Sequence, residues 1–146
     1  HTYLKIFPEI GMHSWWNLVR LKPYLSRQVA AVMSVLQGGQ PRGMQRNFDK
    51  NRCLLCDTRE NDTPQHILFE CVELSEVRQS MWPKVINCMP SGMASDVSAM
   101  RTGEITTFII SGLRGKFIIE WVDVYENMAR FIYTMYKERS NKYEAS

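Results

Sequence analysis

The stretch CLLCDTRENDTPQHILFEC, from Cys53 to Cys71, holds three of the four cysteines in the chain and one of its three histidines. The spacing is C-x2-C-x9-H-x4-C. Two cysteines separated by two residues make a tight turn, a knuckle, that points both sulfurs at one spot and lets backbone amides support the thiolates. The polar run DTRENDTPQ returns the chain, and a helix start then presents His66 and Cys71. Three thiolates and an imidazole are a closed tetrahedral set for Zn2+. Softness agrees, because thiolates favour zinc over magnesium or calcium. Two other readings stay open. The four cysteines could pair as disulfides, with three connectivities. The thiols could also be buried independently, leaving His66 incidental. Against disulfides stand the placement of His66 and the first residues, HTYLKIFPEIG, which lack the basic start and apolar centre of a secretory signal.

If Cys53, Cys56, His66 and Cys71 hold zinc, no position is left open for water, so the metal is expected to be structural rather than catalytic. The nearest carboxylates, Glu70 and Glu73, read as solvent-facing helix residues. Zinc binding in finger peptides is worth about 10–16 kcal/mol, and a fraction of that decides whether a loop-rich centre folds. Cys88 lies outside the pattern, in the apolar context KVINCMP, and is expected to be a buried free thiol.

Other catalytic signals are weak, and no enzyme activity is expected. His13 stands beside Ser14, but adjacency in sequence does not place a base on a nucleophile. SGLRGK lacks the full G-x4-GK[ST] phosphate cradle and reads as a separator between helices.

The elements that must position these residues are helical by pattern. SWWNLVRLKPYL suits a short helix ending before Pro23. In LSRQVAAVMSVLQGG, Leu25, Val29, Val32, Met33 and Leu36 follow helical spacing, and Gly38 and Gly39 supply a stop. Thr63 can cap a helix with Pro64 at its first position and His66 in its first turn. A helix continues or restarts through VELSEVRQSMW before Pro83, and PSGMAS reads as a loop. In TGEITTFIISGL, Ile105, Phe108, Ile109 and Leu113 share a face. From Phe117 onward, Ile118, Trp121, Tyr125, Met128, Ile132 and Met135 form a long helical stripe. The polar tail KERSNKYEAS is expected to fray. A rival reading pairs TTFII with KFIIEWV as strands. The length of the stripe favours helices. The expectation is therefore a mainly α, small helical domain organised around one structural CCHC zinc site. Its parts are an N-terminal helical pair over 1–40, a basic loop and zinc centre over 41–82, and a C-terminal helical pair over 83–146, with merging cores.

Composition fits this. The chain is 45% hydrophobic and 23% charged, as in globular proteins. No apolar run reaches the roughly 20 residues of a membrane span. The chain does not begin with Met, and it reads as a piece of something longer. Net charge is +3, which permits contact with nucleic acid without demanding it. Arg42, Arg46, Lys50, Arg52 and Arg59 gather before and inside the cysteine segment, against Asp49 and Asp57. They could meet phosphates or simply face solvent. Trp15, Trp16 and Phe48 could stack on unpaired bases, although core packing is the plainer reading for the tryptophans and a loop anchor for Phe48.

The run CLLCDTRENDTPQHILFECVELSEVRQSMW resembles the C-terminal region of non-LTR (LINE-like) retrotransposon reverse transcriptases. The likeness rests on Cys53, Cys56, Thr63, Pro64, His66, Ile67, Leu68, Phe69, Cys71 and Arg78. It extends less specifically from about Trp15 to Arg139. Val72 departs from the family, where proline often follows the last ligand, and leaves the helix boundary at Cys71 undefined. No YxDD-type polymerase aspartates, endonuclease set or RNase H set occur. The resemblance implies a non-catalytic part of a larger reverse transcriptase polypeptide, intracellular and nuclear, with no membrane association. Such a part helps hold RNA or target DNA during target-primed reverse transcription. A different class of function is a zinc-stapled interaction or scaffold domain that docks on a polymerase body or self-associates. Nine Met and four Trp motivate it.

Overall fold

The computed structural model describes residues 8–44, 52–56 and 60–145. Among these residues every regular element is helical and no strand forms, so the chain is a small, mainly α domain. Helix α1, Pro8–Leu21, starts earlier than SWWNLVRL alone suggests, because Pro8 is well suited to a first helical position. It stops before Pro23, where Lys22 leaves the helical region at φ −133°. Helix α2 covers Ser26–Leu36 and buries Val29, Ala31, Val32, Val35 and Leu36.

Helix α3, Ser75–Asn87, does not stop at Pro83 as expected but runs through it. Proline in a helix interior costs about 3 kcal/mol. Here the residues beyond it offset that cost, since Val85 is buried and Ile86 packs against the core. PSGMAS is not a loop: Ser91–Ser98 forms α4. The Ala94 N–H donates to the Pro90 carbonyl at 2.9 Å, and buried Val97 anchors the helix. Helix α5 spans Thr102–Ile110.

The expected stripe from Phe117 is interrupted. The long helix α6 begins only at Val122 and runs to Ala145. Ile118 is extended, and Ile119–Trp121 make a single tight turn. The chain needs this length because it must reverse after α5. The reversal uses positive φ at Gly112, Leu113, Arg114 and Gly115. The tail expected to fray is the end of α6, with Arg139 and Ser140 buried.

Helix α6 is the axis of the domain and packs against α1, α2 and α3. One buried cluster runs from Trp15 to Tyr136. At one end Trp15 meets Tyr125 edge-on at 5.4 Å, and its indole N–H donates to the Ile110 carbonyl at 2.8 Å. The Tyr125 hydroxyl donates to the Gly112 carbonyl at 2.7 Å, and burial pushes its pKa up. Toward the cysteine segment, Phe69, Trp82 and Phe131 make a three-ring cluster with centroids 5.0–5.7 Å apart. At the rim, Glu126 accepts from Lys22 at 2.6 Å and from Arg130 at 3.0 Å. No helix among the described residues is long and apolar enough to cross a membrane.

Gly112 is where α1 and the reversal touch. Its φ is +66°, and a Cβ there would lie 2.8 Å from the Ser14 Cβ. Gly112→Ala therefore combines a left-handed backbone with a clash, and should cost about 2–4 kcal/mol. Urea denaturation of the variant against the parent measures it, and a loss below 1 kcal/mol on that scale contradicts the packing described.

Candidate metal centre

Cys53, Cys56, His66 and Cys71 converge. Their ligand atoms all lie within 4.8 Å of one another. The Cys53 and Cys71 sulfurs are 3.8 Å apart, and the Cys56 sulfur is 3.4 Å from His66 Nε2. All four side chains are buried, and the three thiols are free rather than disulfide-bonded. This removes the disulfide reading for them, and a set of four donors so placed can hold one metal ion. The knuckle is closed onto the returning chain by the Cys53 N–H, which donates to the Glu60 carbonyl at 2.8 Å.

The second half of the site depends on an unusual helix turn. His66 and Cys71 are five residues apart. At 3.6 residues per turn, two such side chains would point about 140° apart. Instead His66–Glu70 forms a π-helical turn, in which the Cys71 N–H donates to the His66 carbonyl at 2.7 Å. The wider turn brings both ligands to one side. Such turns are rare and recur at functional sites. Cys71 then leaves the helix with φ −64° and ψ 121°. This defines the boundary that the missing proline left undefined.

Neighbouring side chains hold the turn in place. The Thr63 hydroxyl accepts from the His66 N–H at 3.1 Å, which is the expected cap. Arg78 donates through Nε to the Leu68 carbonyl at 2.7 Å and through a terminal nitrogen to the Cys71 carbonyl at 2.8 Å. The arginine thus bridges the end of the π turn to the start of the next turn, where the Cys71 carbonyl also accepts from the Leu74 N–H at 3.2 Å. Glu70 is not merely solvent-facing as expected. It accepts from Gln65 at 2.7 Å and from the Thr102 hydroxyl at 2.7 Å, which ties the turn to α5. Its other oxygen lies 3.9 Å from His66 Nδ1. That is the side from which a carboxylate orients a ligating imidazole. Glu73 is exposed, as expected.

The electrostatics are those of a donor set in need of a cation. The hydrogen bond with Cys71 holds the Cys53 thiol far below its ordinary range, and the same bond, with burial, pushes Cys71 up. Both shifts come chiefly from the one hydrogen bond between the two sulfurs. His66 is raised, chiefly by its hydrogen bond to Cys53 and against the effect of burial. A metal ion takes the place of these protons when it binds.

No family model, no curated protein and no solved structure matches this chain. The geometry of the centre therefore carries the argument.

Three residues that brace the cysteine segment have no signal in the local sequence: Asp62, Arg139 and Tyr143. Arg139, on α6, forms an ion pair with Asp62 in the segment that leads to His66. Their side chains are only 1% and 3% exposed. Arg139 also sits over the Tyr143 ring at 4.7 Å. The Tyr143 hydroxyl in turn accepts from the Leu54 N–H inside the knuckle, at 3.2 Å. The end of α6 therefore grips both halves of the site. Long-range pairing across the chain left no local pattern, and a polar tail gave no reason to suspect burial.

Of the basic residues expected to meet phosphates, Arg42 and Arg52 are exposed, and Arg52 sits next to Cys53. Arg46, Lys50 and Arg59, with Phe48, lie outside the described residues. Trp15 is core and Trp16 is half exposed. Cys88 is exposed, not buried as expected. It falls at the C-terminal end of α3, where Asn127 donates to its sulfur at 3.1 Å. His13 is exposed while Ser14 is buried, so the two face apart and form no nucleophile–base pair.

Removing one partner of a buried ion pair strands the other charge. Arg139→Met should destabilise the protein by about 3–5 kcal/mol, and adding Asp62→Leu should restore most of that loss. Denaturant titration of the parent, the single variant and the double variant tests this. A double variant less stable than Arg139→Met would refute the pairing.

Proposed function

We propose that the four-residue centre binds one structural Zn2+ and that the domain is an accessory, non-catalytic nucleic-acid-binding module of a larger reverse transcriptase polypeptide. On this reading it holds RNA or target DNA in the nucleus during target-primed reverse transcription. The observation that carries the metal assignment is the shape of the donor set. Tetrahedral zinc with Zn–S of about 2.3 Å and Zn–N of about 2.0–2.1 Å needs S···S edges of about 3.8 Å and S···N edges of about 3.5 Å. The Cys53–Cys71 edge is 3.8 Å and the Cys56–His66 edge 3.4 Å, and all four donor atoms lie within 4.8 Å of one another. Four buried protein donors fill the coordination sphere, so the ion has no open position for water or substrate. The support for nucleic acid is electrostatic: the net charge is +3, and Arg42 and Arg52 are exposed on the segment leading into the knuckle. The likeness of TPQHILFEC and Arg78 to non-LTR reverse transcriptases supplies the polypeptide context.

Protein purified in reducing buffer should carry one zinc per chain. Cys56→Ser or His66→Ala should lower that content sharply, and a strong chelator should unfold the centre. A metal-free chain that keeps its full helical signal would overturn the metal assignment. RNA and DNA titrations of the zinc-loaded chain at several salt concentrations should show affinity falling as salt rises. Absent or salt-independent binding would sink the nucleic-acid reading.

A second reading has one observation in its favour. Trp16 and Leu21 on α1, and Tyr24 just beyond, are large apolar side chains that are 51%, 49% and 64% exposed, and exposed aromatic groups favour protein contacts. Light scattering across a concentration series should then show self-association weakened by Trp16→Ser. A strict monomer at all concentrations removes self-association from this reading.

A further inference from the structure

Helix α2, the turn 41–44 and the middle of α6 enclose a groove of about 270 Å³. Three cations line it: Arg27 from α2, Arg42 from the turn and Lys137 from α6. All three are exposed. Among the described residues none pairs with a carboxylate, whereas Lys22, Arg130 and Arg139 all do. No acidic side chain is among the described residues that line the groove. The wall on the α6 side is Tyr133, one helical turn before Lys137 and half-buried. The floor is made of small groups: Ala30, Ala31 and Ser34 follow Arg27 along one face of α2. Gly43 at the mouth has φ +79° and open space where a side chain would stand. A concave, cationic surface with an aromatic wall and a small-residue floor is what a nucleic-acid backbone needs for close approach.

Size and shape restrict the occupant. The volume, about 270 Å³, lies just below the roughly 300–1,000 Å³ of ordinary ligand pockets, which suits one nucleotide seated in the groove while its neighbours in the strand run along the rim. A duplex is too wide to enter and would touch only the rim. A single strand can lay its phosphates against the three cations and pack a sugar or base on Tyr133.

We propose that this groove is a docking site for single-stranded nucleic acid. In it Arg27, Arg42 and Lys137 neutralise successive phosphates, and Tyr133 provides the stacking wall. The proposal rests on the nucleic-acid reading above and adds its location and strand form. Phosphate contacts fix position without reading sequence, so the site is expected to be sequence-tolerant. Three neutralised phosphates on a single strand give a log–log salt slope of about −2, so affinity should fall about 20-fold between 50 and 200 mM salt.

The test is fluorescence anisotropy of the zinc-loaded full chain with a labelled mixed-sequence single strand, as RNA and as DNA, and with the matching duplex. Replacing Arg27, Arg42 and Lys137 together by Gln should weaken single-strand binding at least tenfold and flatten the salt slope by about two units. Replacing Arg20, Lys84 and Arg101 by Gln makes the same change in net charge away from the groove and should alter affinity less than threefold. Tyr133→Leu should weaken binding about tenfold while leaving the slope unchanged. Zinc content and circular dichroism confirm that each variant is folded. Equal losses from the two triple variants would overturn the groove while leaving nucleic-acid binding standing. Duplex binding as tight as single-strand binding would overturn the strand form. A nucleoside monophosphate that binds as tightly as the oligonucleotide would show a small-anion site instead. A parent chain that binds neither strand form would overturn this proposal and the nucleic-acid reading together.

Discussion

The convergence of four donor atoms onto one point is the constraint around which this domain is arranged. A knuckle brings two sulfurs together cheaply, since it needs only a local turn. The other pair is harder. His66 and Cys71 stand five residues apart, a spacing that an α-helix splays and a π turn gathers. The π turn weakens regular hydrogen bonding, so its stability comes from outside it. Thr63 caps it from before, Arg78 on α3 bonds the Leu68 carbonyl within it and the Cys71 carbonyl just after it, and Glu70 ties it to Thr102 on α5. Thr63 and Arg78 act through the backbone of His66, Leu68 and Cys71, and Glu70 through its side chain.

The ion pair of Arg139 with Asp62 extends the same logic to the far end of the chain. Burying two charges is unfavourable unless they meet with good geometry. Such a pair specifies where the end of α6 must lie more than it adds stability. Tyr143, one turn later, accepts a hydrogen bond from the knuckle. Helix α6 thus carries Tyr125 and Phe131 into the aromatic core near its start and Arg139 and Tyr143 into the metal centre near its end. The core and the site share one rigid rod, so a small domain needs no separate framework for each.

How much of this was legible in the sequence follows from the range of the interactions. The knuckle, the Thr63 cap and the apolar face of α2 are set by residues within a few positions of one another, and all were readable. The continuation of α3 through Pro83 was not, because the local penalty is outweighed by burial of Val85 against distant partners. PSGMAS looked like a loop because the signal for α4 is tertiary, the burial of Val97. The tail looked frayed because the partner of Arg139 stands far back in the chain, at Asp62. Cys88 looked buried because its neighbours are apolar, yet α3 ends there and turns it outward. The location of the four donors could be read from spacing. The π turn that makes H-x4-C workable could be inferred only from the mismatch between five residues and the helical period.

Two sets of described cations differ in what they face. Lys22, Arg78, Arg130 and Arg139 are committed to carboxylates or carbonyls within the fold, and each joins elements or secures a helix. Arg27, Arg42 and Lys137 have no such task among the described residues and stand around one groove. Helix α6 connects the two groups. Tyr133 and Lys137 lie on one of its faces, while Arg139 is two residues further on, about 200° around the helix at 3.6 residues per turn. The last turns of α6 therefore show one face to the groove and the other to the metal centre. Anchoring Arg139 and Tyr143 fixes the rotation of the helix, and with it the direction of Lys137. A metal bound at the four donors would in this way bear on the groove through the register of a single helix.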